Sequence, residues 1–425
     1  MREKGFSLIE LLIAMGVFVI SLVLVSQFFV DQLTMFKQQS KIAETNIEGI
    51  VGLEILRRDI EHAGLGLPWS ITVWNSLGQV AGVDWPNLTS YSEAVSSGSS
   101  PDPASFNDGD PASALPTPAN TKRAPRAILN GDNVGINGSD YLVIKSINVA
   151  NSPAYNTSNK WNDLSSGGVV TVKSPALENV YSKEDGTTDN NVRVIVISPG
   201  GKDPTGQKPI RALIVQDSPR VFYAKYSDVT SASSIWPPDN TETRIIYGVD
   251  SDTDLRMPFN RADYFISRSN VPTSCAQNTG VLEKAVVNQA DGKFTYLPLL
   301  DCVADVQVVF GIDSSDPPDN KADCYVNNLL DSVSPLDAPT IRQKVREVRM
   351  YVLAQEGQYD RSFKYIAPIS PSSIRVGESA SGSLPACAGA ALFGRDFNFT
   401  TNNITNWQNY RWKVYTLVVE LHNLM

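Results

Sequence analysis

The chain has 425 residues, of which 42% are hydrophobic and 19% charged, a composition that excludes disorder along its whole length. Its 36 basic and 45 acidic side chains give a net charge of −9, so we expect no nucleic-acid partner, because no excess of cations is available to neutralise phosphates. The chain contains two histidines, His62 and His422, which disfavours a histidine-rich metal site and a Ser-His-Asp triad. We expect no cofactor.

Proline and cysteine are distributed unevenly along the chain. It holds 26 prolines, and the first of them is Pro68. All four cysteines lie between Cys275 and Cys387. Because proline disrupts helix interiors, the sequence divides into a helix-compatible start and a turn-rich remainder.

An apolar segment near the N-terminus predicts a membrane-spanning helix. The 20 residues from Leu11 to Val30 carry no charge, and at ~1.5 Å per residue such a helix spans about 30 Å, the thickness of a bilayer's hydrocarbon core. Arg2 and Lys4 precede it, so the extreme N-terminus is expected to be cytoplasmic. The segment lacks the following small-x-small site of a cleaved secretory signal. A plain anchor leaves Glu10 unexplained, since a carboxylate at this boundary needs a partner.

The residues around this boundary carry a resemblance. Gly5-Phe6-Ser7-Leu8-Ile9-Glu10, followed by the apolar run, resembles the signature of type IV prepilins and the related pseudopilins. The resemblance implies that a prepilin peptidase cuts after Gly5, removes residues 1–5 as a leader and N-methylates Phe6. It also implies that the apolar segment stays in the mature protein.

The same resemblance gives Glu10 a role in subunit assembly. Cleavage would leave Phe6 with a free ammonium group, and in a bundle of such helices the Glu10 carboxylate of one subunit could meet the ammonium of its neighbour. A pair in this apolar setting is screened far less than a pair at a surface. We expect it to set the axial register of the subunits.

The helical pattern continues well past the apolar segment. From Asp31 to Ala63 apolar residues recur at spacings of three and four, which predicts one buried stripe; its members are Leu33, Phe36, Ala43, Ile47, Ile50, Leu53, Leu56 and Ile60. Gly64, Gly66 and Pro68 should end the helix, giving a helical domain over residues 6–64 with its apolar half protruding. Gly49 and Gly52 lower helix propensity and indicate close approach of the head.

The apolar segment contains no proline. Many major pilins carry a helix-breaking proline there, whereas this chain has Val25 and Gln27 across that region. Within the family, this difference favours a minor pilin or a pseudopilin over the main filament subunit.

Residues 65–425 predict a head of mostly antiparallel β-sheet, so that the fold class is α+β, with the N-terminal helix packed on the head. Short runs of β-branched and aromatic residues mark the strands, at Tyr141–Lys145, Val169–Lys173, Val192–Ile197, Ala212–Gln216, Arg244–Tyr247, Tyr264–Ser267, Val281–Val287, Phe294–Leu297, Val303–Phe310, Val345–Ala354 and Tyr410–His422. The head exceeds the ~250–300 residues at which single cores divide, so two lobes or long loop insertions are expected. A Pro/Ser-rich insertion near 94–126 is expected at the surface, outside the core.

Four cysteines in an exported head predict two disulfides with three pairings open. Proximity in sequence favours Cys302 with Cys324, which leaves Cys275 with Cys387. No Cys-x-x-Cys spacing occurs, so a zinc site is not indicated.

Candidates for further chemistry are weak. Asp250, Asp252 and Asp254 alternate as at the start of a calcium loop, but the glycine and the distant glutamate of such a loop are missing, and a solvated turn is the simpler interpretation. No nucleophile and base form a recognisable pair, so the chain is not expected to be an enzyme.

Three stretches resemble PilW-type minor pilins: residues 57–64 at the helix end, 300–308, and 410–423 at the C-terminus. The resemblance implies a minor type IV pilin that joins a tip or priming complex and promotes pilus assembly. Its implied partners are other minor pilins, the major pilin, prepilin peptidase, the inner-membrane assembly platform and a tip adhesin. The chain would cross the inner membrane once with a periplasmic head, and later sit at or near the tip of the extracellular pilus.

Two alternatives remain open on the sequence. The chain could be a pseudopilin at the tip of a type II secretion pseudopilus. It could also be a membrane-tethered periplasmic domain that binds a ligand, such as a carbohydrate, or acts as an enzyme. The last alternative requires polar side chains that converge in a pocket of the β head.

Overall fold

The structure is a computed structural model that describes residues 7–75, 78–81, 91–108, 125–150, 161–165, 169–172, 192–202, 209–216, 221–229, 244–249, 254–331, 338–382, 384–387 and 389–424. It confirms the predicted α+β architecture. A long N-terminal helix leaves its apolar half protruding and packs the other half on a head of mostly antiparallel sheets.

Helix α1 runs unbroken over Leu8–Glu61, 54 residues. It ends as the sequence predicts: Gly64 and Gly66 follow it with φ of 82° and 73°, in the left-handed region that favours glycine, and Pro68 comes next. Two short helices follow in the head, α2 (Tyr226–Val229) and α3 (Ala338–Lys344).

The predicted buried stripe of α1 is wrong over its first part. Phe36, Ile47 and Ile50 are 68%, 64% and 65% exposed, whereas Leu56 and Ile60 are fully buried. The face that contacts the head consists of Ile42, Thr45, Asn46, Gly49, Gly52, Leu53, Leu56, Asp59 and Ile60. Polar contacts and two glycines determine which face of α1 meets the head. The spacing of apolar residues does not show these contacts.

Helix α1 packs on a main sheet. Its strand order is β18-β15-β13-β12-β11-β4-β3 with β14 beside β13, and all its pairs are antiparallel. The strands are β3 Ile128–Gly131, β4 Tyr141–Ser146, β11 Asn260–Ser267, β12 Gly280–Val287, β13 Phe294–Ile312, β14 Cys324–Val326, β15 Val345–Glu356 and β18 Arg411–Glu420.

A second sheet has the order β2-β1-β8-β7-β10-β5-β6 with β9 beside β7. Its pairs are antiparallel except β1 with β8, which is parallel. The strands are β1 Ser70–Asn75, β2 Gly78–Ala81, β5 Trp161–Ser165, β6 Val169–Val172, β7 Arg193–Lys202, β8 Pro209–Gln216, β9 Ala224–Lys225 and β10 Arg244–Gly248. One hydrophobic cluster joins the sheets, since it contains Ile197 and Leu213 as well as Leu282 and Val352.

The two faces of the main sheet pack against different elements. Tyr264 and Lys284 point to α1, where both contact Asp59. Their neighbours Asp263 and Glu283 must point the other way, because side chains alternate along a strand. That opposite face is covered by residues 91–108, here called the covering segment, and by a hairpin of β16 (Ser373–Ser379) and β17 (Leu392–Asn398).

Most predicted strands are present, but two differences are informative. The predicted strands 294–297 and 303–310 form a single strand, β13, because register shifts near Cys302 let the ladder continue past Pro298. The sequence does not predict β16 and β17, whose paired Gly377 and Gly394 interrupt the alternating pattern. A Cβ on Gly377 would lie 1.9 Å from the Phe393 carbonyl oxygen.

The disulfide pairing favoured by proximity is wrong. Cys275 bonds Cys302, and Cys324 bonds Cys387. Residue 275 lies in the connection between β11 and β12, and the antiparallel pairing of β12 with β13 brings that connection beside Cys302. Strand pairing, rather than separation along the chain, decides which cysteines meet.

The predicted surface insertion is also partly wrong, because the covering segment is buried near both of its ends, around Glu93 and around Phe106, although residues 95–100 between them are exposed. Phe106 is 4% exposed and stacks on Tyr141 with ring centroids 4.6 Å apart. Residues 109–124, which make up most of the rest of the predicted insertion, lie outside the described residues.

A buried charge cluster fixes the covering segment to the sheet. Its members are Glu93, Asp108, Arg126, Lys145, Arg261 and Asp263, three cations and three carboxylates. Lys145 Nζ lies 2.7 Å from both Glu93 Oε2 and Asp108 Oδ2, and Arg261 reaches Glu93 and Asp263. Buried ions are tolerated when each is paired and hydrogen-bonded, and Lys145 and Arg261 reach Glu93 from distant parts of the chain.

Two glycines let α1 lie directly on the main sheet. A Cβ built on Gly52 would lie 1.8 Å from the Leu299 carbonyl oxygen, and one on Gly49 would lie 3.3 Å from Tyr415 Oη. The close approach that the sequence indicates for these glycines is confirmed.

Gly52→Ala should destabilise the protein by about 1–3 kcal/mol, the range for overpacking, although alanine favours helix by about 1 kcal/mol. Gly16→Ala is the matched control, because no atom lies within 4 Å of a Cβ at Gly16. Urea unfolding of both variants in detergent, followed by circular dichroism, measures the difference. Equal stability of the two variants would contradict this account of the helix seat.

Asp108 should contribute to acid unfolding. Burial alone would raise the pKa of Asp108, but Lys145 and Arg126 outweigh it and lower the pKa from 3.8 to about 2. A lowered pKa stabilises the fold at pH values above 3.8, and this stabilisation disappears as the pH falls through about 2.

Asp108→Asn should therefore lower stability at neutral pH, by roughly 3–5 kcal/mol for a broken buried pair. The difference in unfolding free energy between Asp108→Asn and the unaltered protein should decrease as the medium is acidified. Asp396→Asn, which breaks the half-exposed pair with Arg375, should change little. Thermal unfolding across the acid range tests this prediction. A stability difference that does not depend on pH would refute the stabilising role of the Asp108 carboxylate.

Candidate functional site

The N-terminal end of α1 is organised by Ser7 and Glu10. Ser7 Oγ accepts from the Ile9 N–H at 3.4 Å, and Glu10 Oε2 accepts from the Ser7 N–H at 3.0 Å, a reciprocal capping box. The arrangement satisfies backbone donors that have no partner inside the helix. The Ser-x-x-Glu spacing of residues 7–10 is a local signal for this second role of Glu10, which apolar patterning alone does not show.

The predicted cleavage and methylation residues, Gly5 and Phe6, lie outside the described residues. Glu10 itself is exposed and lies in the first turn of the helix. A carboxylate accepts about four hydrogen bonds, so the capping contact leaves capacity for a further donor.

The apolar half of α1 touches nothing else in the described chain. This half is unburied, and α1 is the one helix among the described residues with the length and composition to cross a membrane. Leu12, Phe18 and Phe28 are 66%, 66% and 63% exposed. An apolar surface of this extent is unfavourable in water, so lipid or neighbouring apolar helices must cover it.

A buried triad locks the other end of α1 to the head. Asp59 Oδ2 lies 2.5 Å from both Lys284 Nζ and Tyr264 Oη. Burial raises the pKa of Asp59, and the contacts with Lys284 and Tyr264 oppose that rise. The signal in the sequence was an aspartate between the buried positions Leu56 and Ile60, but its two partners could not be identified from the sequence.

The C-terminus closes the same junction. Asn423 Nδ2 donates to the Glu61 carbonyl at 3.3 Å, and the His422 ring lies 3.5 Å from the Glu61 carboxylate. Leu424 is 4% exposed and lies over Gly64. The end of the helix and the end of the chain therefore meet, which ties the orientation of α1 to the last strand.

The weak calcium candidates receive no support. Asp254 pairs with Arg193 at 2.9 Å, while Asp250 and Asp252 lie outside the described residues. Among the residues that the structure describes, no group of three or more His, Cys, Asp or Glu could hold a metal ion. All four cysteines are in disulfides.

Comparisons with known proteins agree with this arrangement. The family described as "Type IV Pilus-assembly protein W" matches residues 263–423, and the "Prokaryotic N-terminal methylation motif" matches residues 1–26. Three stretches of the sequence resemble PilW-type pilins. Residues 300–308 and 410–423 fall inside the first match, whereas residues 57–64 at the helix end fall outside both family matches.

No curated protein matches the chain significantly. A solved structure that does match is a type IV-like pilin from Thermus thermophilus, with 13% identity over 39% of this chain and 80% of the other. Its TM-score of 0.17 is too low to support an argument. The two family matches, at opposite ends of the chain, confirm over residues 1–26 and 263–423 its resemblance to a PilW-like type IV minor pilin.

Proposed function

We propose that this chain is a minor pilin that joins a tip or priming complex and promotes assembly of a type IV pilus. The observation that carries the proposal is the division of α1: its apolar half is unburied while its second half is fixed to the head. Such an apolar helix can be covered either by a bilayer or by the apolar helices of a filament core. The subunit can therefore pass from one to the other without refolding.

The junction with the head supports the same role. Asp59, Lys284 and Tyr264 hold the end of α1, and Gly52 allows the helix to contact the strand backbone. Force or motion applied to the head is therefore transmitted to the protruding helix. A subunit with these properties initiates assembly when its helix engages the next subunit.

We further propose that the prepilin peptidase removes residues 1–5 and that the new amine on Phe6 of a neighbouring subunit pairs with Glu10. The exposed carboxylate, with capacity beyond its capping contact, supports this. Before assembly the head faces the periplasm, and afterwards it is outside the cell. The partners are other minor pilins, the major pilin, the inner-membrane assembly platform and a tip adhesin.

Two variants separate the ammonium pair from the capping box. Glu10→Gln keeps a side chain that can cap the helix but removes the charge, whereas Ser7→Ala keeps the charge and removes the cap. We expect Glu10→Gln to reduce the number of surface pili at least tenfold, since breaking a buried pair costs roughly 3–5 kcal/mol, and Ser7→Ala to reduce it far less.

Pili are counted by electron microscopy at matched protein levels, and mass spectrometry of each variant should show a mature N-terminus at methylated Phe6. Normal pilus numbers in Glu10→Gln would refute the pairing, and an intact Met1 would refute the prepilin route. Normal pili but lost protein secretion after deletion of the chain would indicate a pseudopilin instead.

The tip position has its own test. A head of about 360 residues is large for repeated packing in a shaft, and domains of this size usually divide. Immunogold labelling of the head on sheared pili should mark filament ends, with a label on the major pilin as the control along the shaft. Regular labelling along the filament length would contradict a tip position.

A further inference from the structure

A cavity of about 520 Å³ opens on the face of the main sheet that points away from α1. It is lined by residues of the covering segment between Ser97 and Pro103, by Gly135 and Ile136, and by residues from β11, β12 and the start of β13. This volume lies within the range of about 300–1,000 Å³ that small-molecule sites occupy. The rest of the covering segment is fixed by the buried charge cluster, so the cavity is formed before any ligand arrives.

The floor of the cavity is aromatic. Phe265 and Phe294 have ring centroids 6.3 Å apart, and Phe294 and Tyr296 have centroids 5.8 Å apart. Tyr141, buried behind them, stacks on Phe265 at 5.1 Å. Tyr296 is 55% exposed, so a large part of its ring is free to contact a ligand.

A buried carboxylate faces this floor. Glu283 is 6% exposed, lies directly across the strand pair from Phe265, and lines the cavity. Glu283 Oε2 has no hydrogen-bond partner within the described parts of the chain. Burial raises the pKa of Glu283, and the Ser267 side chain opposes the rise. An acceptor left unpaired in a buried site is unfavourable, so a ligand donor at Oε2 would relieve it.

The cavity also has polar lining residues, and one of them is positively charged. Ser97, Ser99 and Ser100 line one side, and Arg268 lines the other, where its guanidinium donates to Asn137 at 3.1 Å. A cationic ligand would satisfy Glu283 but would be repelled by Arg268. An apolar ligand would leave Glu283 unpaired.

A saccharide meets all of these requirements. One face of a pyranose ring presents C–H groups that pack on an aromatic ring, and its hydroxyls both donate and accept hydrogen bonds. We propose that this cavity binds a neutral saccharide unit, with its C–H face on Tyr296 and a hydroxyl donating to Glu283 Oε2. Other hydroxyls accept from Arg268 and the serines. This inference goes beyond the pilin role and does not depend on it.

The test uses the full chain in lipid nanodiscs, because many detergents carry sugar headgroups. The protein is applied to an array of neutral mono- and oligosaccharides, and the best binder is titrated by calorimetry. Tyr296→Ala and Glu283→Gln should each weaken binding at least tenfold, the first through lost stacking and the second through loss of a charge-assisted hydrogen bond. Tyr359→Ala is the matched control, an exposed tyrosine outside the cavity, and should bind like the unaltered protein.

Thermal unfolding of all three variants shows whether the head remains folded, and Tyr296, at a largely exposed position, should tolerate substitution. Selective saccharide binding that Tyr296→Ala and Glu283→Gln weaken, and Tyr359→Ala does not, supports the proposal. Absence of binding on the array overturns it, as does binding that both cavity variants retain. Choline serves as a cationic probe, and binding of choline without any saccharide would also overturn it.

Discussion

The whole molecule depends on how one helix is divided between two environments. Gly52 brings α1 onto the backbone of β13, and Leu56 and Ile60 are fully buried there. The first half of the same helix has no contact with the head and is apolar all round. Burial of part of the second half fixes the helix to the head, while the first half remains exposed and available to other apolar partners.

Paired buried charges reinforce that division. Asp59 is held by Lys284 and Tyr264 at the helix end, while the buried charge cluster fixes the covering segment on the opposite face. Such pairs are weak evidence for net stability, but they penalise any arrangement that leaves a charge alone. They therefore specify how the helix and the covering segment lie on the main sheet.

The main sheet separates the surface that holds α1 from the cavity. Alternating side chains send Lys284 toward α1 and Glu283 into the cavity. A ligand in the cavity would therefore not compete with the helix or with its neighbours in a filament. Assembly and ligand binding, as proposed above, would therefore use opposite faces of the main sheet.

The sequence by itself determined the N-terminal helix of this protein and the place where that helix ends. The charge-free run, Gly5-Phe6 with Glu10, and the Gly64–Pro68 stop are local signals, and local signals predict the length of a helix and the class of the fold. Apolar spacing misidentified the contact face of α1, because Gly49, Gly52 and the polar partners of Asp59 define that face.

Only the tertiary structure decided the contacts between segments that are distant in the sequence. The pairing of Cys275 with Cys302 follows from strand order, and the burial of the covering segment follows from charges more than 30 residues away in the chain, such as Lys145 for Asp108. The cavity around Glu283 arises from three strands and a loop. No pattern within a single segment encodes contacts between distant segments, because these depend on which strands pair and in which register.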